Sequence, residues 1–101
     1  MTGRFSLTHR AQRDIEDIWR YIAEDNPAAA DRIETALYDA FAMLARNPQL
    51  GHKRVDLTRK PVRFWSVHSY MVIYDPRTQP LHILRVLSGY RDVSAILDGD
   101  A

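Results

Sequence analysis

The residues of this chain best suited to chemistry are cations in its second half. Between positions 46 and 63 stand Arg46, Lys53, Arg54, Arg59, Lys60 and Arg63, against a single acid, Asp56. Arg85 and Arg91 follow, with one phenol, Tyr90, between them. Ammonium and guanidinium groups clustered in this way attract phosphates or an acidic protein surface. A solvated loop flanking a strand has the same composition, so clustering alone does not separate the two. Arg85 raises a sharper question, because it sits inside "ILRVLS", which otherwise reads as a buried strand. Burying an unpaired guanidinium costs at least several kcal/mol, so Arg85 needs a partner or solvent. Other chemical signatures are missing. There is no Gly-rich phosphate loop, no G-x-S-x-G elbow and no H-E-x-x-H. Without cysteine the chain can form neither a disulfide nor a thiolate zinc site. His9, His52, His68 and His82 lack metal-ligand spacing, and no metal or cofactor is expected. The acids of "DIED", Asp14 to Asp17, read most simply as the solvated face of a helix.

The elements that must position these cations fit in one domain, residues 1–101, long enough for a single two-layer core. A hydrophobic fraction of 46% and a charged fraction of 27% are those of an ordinary globular protein. No apolar run reaches the roughly 20 residues of a membrane helix. The stretch "MTGRFSLTHR" also lacks a leader's apolar segment, so a cytoplasmic protein without membrane contact is expected. The net charge of +1 hides an asymmetry. Residues 1–50 carry six Arg/Lys against eight Asp/Glu, and residues 51–101 carry eight against five.

A short first strand is expected over Arg4–His9, with Thr8 able to cap a helix. Ala11, Ile15, Ile18, Trp19 and Ile22 then recur at helical spacing, and that helix should end near Asp25. "NPAAADR" restarts a helix with Asn26 as cap and Pro27 at the first helical position. Its stripe is Ile33, Ala36, Leu37, Ala40, Phe41 and Leu44, and it must stop before Pro48. Residues Asn47–Pro61 read as a loop. Three strands follow, Val62–His68, Tyr70–Asp75 and Leu81–Leu87, the last two joined as an antiparallel hairpin by "PRTQP". The uncharged "YMVIY" is the candidate central strand. The expected fold is α+β, in the order β-α-α-β-β-β. A helical hairpin packs on one face of a twisted, mainly antiparallel sheet, and the other face stays open as the working surface. By strand parity Arg85 groups with Leu81, Ile83 and Leu87. It is expected near the strand's open end, paired or on the uncovered face.

Four blocks in this order, "DIEDIWRYIAEDNPAAADR", "LARNPQLGHKRVDL", "VRFWSVHSYMVIYD" and "ILRVLSGYRD", resemble the ParE/RelE superfamily of toxins from type II toxin–antitoxin systems. The resemblance runs from about Phe5 to Leu97 and is strongest to the ParE branch. It implies the same fold and a cognate ParD-like antitoxin, a ribbon-helix-helix DNA-binding protein that wraps and silences the toxin. Operator DNA would then be reached only through the antitoxin. The ParE branch implies inhibition of DNA gyrase by protein–protein binding, with no catalytic residue. The RelE branch implies a ribosome-dependent mRNA endoribonuclease, in which Arg/Lys stabilise the transition state and a C-terminal Tyr or His moves protons. Here the chain ends in Leu97, Asp98, Gly99, Asp100 and Ala101, with Tyr90 as the nearest phenol. Ser88 stands where many relatives carry His. The C-terminal residues favour the ParE reading; Ser88 counts against a nuclease if that position serves one, and against gyrase inhibition if it serves that. Under it Lys53, Arg54, Arg59, Lys60, Arg63, Arg85, Tyr90 and Arg91 are target-binding candidates. Trp19, Trp65, Tyr70 and Tyr74 are antitoxin-binding candidates.

Overall fold

The computed structural model of the chain describes residues 4–88 and 93–99. Helix α1 (His9–Ala23) begins where Thr8 Oγ1 accepts the Ala11 N–H at 3.1 Å. The same hydroxyl donates to the Leu84 carbonyl at 2.8 Å, so one side chain both caps the helix and ties it to the sheet. Helix α2 (Pro27–Arg46) starts on Asn26, whose Oδ1 accepts the Ala29 N–H at 3.1 Å. Both caps stand where the sequence places them. The two helices form a hairpin whose inner face is Ala11, Ile15, Ala30, Leu37, Ala40, Phe41 and Leu44.

Strands β1 (Phe5–Leu7), β2 (Arg63–Val67), β3 (Tyr70–Asp75) and β4 (Leu81–Ser88) form one sheet in the order β1-β4-β3-β2. β2 and β4 both run antiparallel to β3. β1 joins β4 in parallel, with Phe5 opposite Leu81 and Leu7 opposite Ile83. The turn between β2 and β3 is only His68 and Ser69, and His68 takes a left-handed φ of 54° to close it. Between sheet and hairpin lies a first core of Ile15, Leu37, Phe41, Leu44, Val72, Tyr74, Leu81, Ile83 and Val86.

The second sheet face is not open. Val62, Phe64, Met71, Ile73 and Leu87 pack there with Val93 and Leu97 of a short third helix, α3 (Val93–Gly99), and with Leu57 of the preceding loop. The expected uncovered face is therefore a second core. This explains why β3 reads as an unbroken apolar run, since a strand buried on both faces needs no polar alternation.

A bulge in β4 corrects the parity assigned to Arg85. Arg85 lies opposite Ile73 and Ile83 opposite Tyr74, so Leu84 is an extra residue. Such an insertion resets the alternation of side chains. Ile83 and Val86 both join the first core, while Leu84 and Leu87 join the second. Arg85 is paired, as its burial demands, but with Asp14 of α1. Arg85 Nε donates to Asp14 Oδ2 at 2.7 Å and Nη2 to Oδ1 at 2.9 Å. The two side chains are only 13% and 14% exposed. Asp14 Oδ2 also accepts the Val86 N–H at 2.9 Å, just beyond the point where β1 stops pairing with β4. Asp14 thus serves the sheet edge and is not part of a solvated helix face.

Candidate functional site

The segment from Asn47 to Val62 carries most of the candidate cations, and three contacts fix its backbone. Tyr74 rises from β3 with its hydroxyl donating to the Pro48 carbonyl at 2.7 Å and accepting the Gly51 N–H at 2.8 Å. Gly51 is required at that approach, because a Cβ there would stand 2.7 Å from Tyr74 Cε1. His52 exchanges both backbone hydrogen bonds with Phe64, at 2.9 and 2.8 Å, and so continues the sheet beyond β2. Lys60 reaches across to α3, its Nζ donating to the Leu97 carbonyl at 2.7 Å. A cation there complements the carbonyl end of the helix.

This scaffold brings Lys53, Arg54, Arg59, Lys60 and Arg63 around one cavity of about 460 Å³, with Gln49, Thr58 and Arg77 also in its walls. Arg77 was not foreseen, since "PRTQP" reads only as a connection; the Asp75–Arg77 spacing was the available signal. Arg54 grips Asp56 through two bonds of 3.0 and 2.8 Å, and Arg77 grips Asp75 through two of 3.0 Å. These hydrogen bonds hold both carboxyls below the usual carboxylate range. Arg54 and Arg77 are thereby neutralised. Among the described residues Lys53 and Arg59 form no ion pair. Among the described residues Arg63 is met only by neutral oxygens: Nη1 donates to the Gly51 carbonyl at 2.6 Å and Nη2 to Gln49 Oε1 at 2.6 Å. Its Nε is buried with no hydrogen-bond partner among the described residues.

A guanidinium without a carboxylate, beside two unpaired cations, leaves a concave surface of positive potential that suits an anionic group. No His, Tyr, Asp or Glu lines the cavity among the described residues. The guanidinium and ammonium groups of the walls are hydrogen-bond donors suited to holding an anion.

The other candidates lie elsewhere. Arg85 is committed to Asp14 at the edge of β4 and is not in the cavity wall. Tyr90 and Arg91 fall outside the described residues. Tyr74 is fully buried, which removes it from any docking surface and makes it the loop's anchor. Trp65 and Tyr70 are half-buried on the helix-facing side of the sheet. Trp19 donates its Nε1–H to Asp31 Oδ1 at 3.0 Å, linking α1 to α2.

A family model described as the ParE toxin of the type II toxin-antitoxin system, parDE, matches residues 5–93. The chain belongs to this family. Toxin ParE3 of Caulobacter vibrioides is 32% identical over 100 residues, covering 94% of this chain and 95% of that relative. The solved structure of a chromosomal ParDE TA system from P. aeruginosa superposes with a TM-score of 0.71 over 88% of this chain and 98% of that one. Its sequence identity is 16%, so it bears on the fold alone. The matched span of this ParE-family chain takes in α1, α2, β1 to β4 and the basic loop. No helix among the described residues is long and apolar enough to cross a membrane.

Proposed function

We propose that this ParE-family toxin acts by binding DNA gyrase, without catalysis of its own, and is neutralised by a ParD-like ribbon-helix-helix antitoxin. The observation that carries the reading is the basic cavity. Cations converge there around Arg63, with no His, Tyr, Asp or Glu in the described walls. Such walls favour recognition of an anionic partner surface over the proton transfers that RNA cleavage needs. Lys53 and Arg59 are the recognition residues on this reading, with Arg63 as the fixed charge between them. Tyr90 and Arg91, which the sequence alone nominates, are further target-binding candidates, and the antitoxin is the route to operator DNA.

The test is expression in cells alongside supercoiling by purified gyrase. The expected outcome is a replication block with an SOS response, and dose-dependent loss of supercoiling that is reversed by the antitoxin. Arrest of translation with codon-specific mRNA cleavage, lost on mutating Arg63, would instead assign the ribosome as target.

A further inference from the structure

At the other end of β3 from the basic cavity, a groove of about 380 Å³ runs between α1 and the ends of β3 and β4. We propose that this groove receives an arginine side chain of the antitoxin, an inference that rests on the antitoxin being this toxin's partner. One wall is a single stripe of α1: Asp14, Asp17, Ile18 and Tyr21. Their spacing of three, four and seven residues puts them on one helix face. The opposite wall holds Tyr70, Val86 and Leu87.

Each part of the groove matches one part of an arginine. Ile18, Val86 and Leu87 offer an apolar track for the three-carbon stem. The Asp14 carboxylate already accepts three hydrogen bonds, from Arg85 Nε, Arg85 Nη2 and the Val86 N–H, so it has little capacity for a newcomer. Asp17 lies one turn further along, is exposed, and makes no ion pair among the described residues. It is the carboxylate left to pair with an incoming cation. Tyr21 is 76% exposed at the rim, and Tyr70 is half-buried across from it. A guanidinium that stacks on a tyrosine face while it forks onto a carboxylate uses both features, which a lysine ammonium cannot do as well. No Lys or Arg lines the groove, so nothing in its described walls repels a cation. The groove and the basic cavity therefore carry opposite charge, and an antitoxin seated here leaves the basic cavity geometrically separate.

Calorimetric titration against the protein encoded beside this toxin's gene tests the assignment. Asp17→Asn and Tyr21→Ala should each weaken binding at least tenfold. Their melting temperatures should stay at the wild-type value, because both side chains are exposed. Asp17→Asn should also flatten the salt dependence of Kd. Alanine scanning of the antitoxin's arginines should find one whose loss is not additive with Asp17→Asn, and exchanging the two charges should restore affinity. Wild-type affinity in both toxin variants would overturn the groove while leaving the antitoxin reading intact. Failure of the wild-type toxin to bind at all would remove that reading and the groove with it. Coupling of Asp17 to a residue other than an arginine would overturn the stated occupant.

Discussion

Tyr74 holds the basic loop in place with one oxygen, and that oxygen should be measurable. Tyr74→Phe keeps the ring in the first core but strands the Gly51 N–H and the Pro48 carbonyl. The expected loss is about 1–3 kcal/mol by chemical denaturation. Burial raises the Tyr74 phenol above its ordinary value near 10, outweighing the lowering by the Gly51 N–H and the Arg63 charge. A raised native value means that the neutral hydroxyl contributes fully below about pH 10 and is lost as pH climbs through the native value. The stability gap between wild type and Tyr74→Phe should therefore be constant at pH 7–9 and close at higher pH. Asp14 and Arg85 give a second prediction. Arg85→Ala leaves the largely buried Asp14 carboxylate without its guanidinium, so it should cost about 3–5 kcal/mol, and the double variant with Asp14→Ala should cost less than the sum of the two single losses. That Arg85 needs either a partner or solvent was legible in "ILRVLS", because burying an unpaired guanidinium is costly. The identity of the partner was not, because Asp14 is 71 residues away and only the fold brings the two together.

Helices α1 and α2 could be read almost to the residue because Thr8, Asn26 and Pro27 mark their starts and each carries several turns of apolar spacing. Helix α3 could not. Its seven residues, Val93–Gly99, offer barely two turns of period, and the acidic tail after Leu97 reads as a solvated end. That omission produced the expectation of an open sheet face, which α3 and the loop before β2 close. The β4 bulge was hidden for a related reason. One extra residue in an apolar strand leaves no mark in composition, yet it regroups every side chain around it. The cations of the basic cavity were legible as a cluster, but their enclosure depends on Tyr74, His52 and Arg77, which lie in other elements. If α3 is an integral part of the core, Leu97→Ala should cost about 2–4 kcal/mol. It should also raise binding of a hydrophobic dye, as the second core becomes exposed. A variant with unchanged stability and no added dye binding would demote α3 to a loose appendage.

Across the whole molecule, a basic concavity and an acidic aromatic groove sit at opposite ends of β3. Recognition of the target and recognition of the antitoxin should then separate genetically. Replacing Lys53 and Arg59 together by Glu should change stability by no more than about 0.5 kcal/mol per site, since both are exposed and neither makes an ion pair among the described residues. It should abolish growth inhibition while antitoxin affinity stays within twofold, as read by growth curves and calorimetry on the same variant. The parallel β1–β4 pair has a further consequence, for the moment of synthesis. β1 leaves the ribosome well before β4, its only strand partner among the described residues, which begins at Leu81. Contacts this distant along the chain form late in folding. During translation the nascent polypeptide can form its helical hairpin, but the sheet that carries Arg63 and anchors the basic loop through Tyr74 has no way to close. The sheet beneath the basic loop is therefore completed only after β4 has emerged, when every other strand has already left the ribosome.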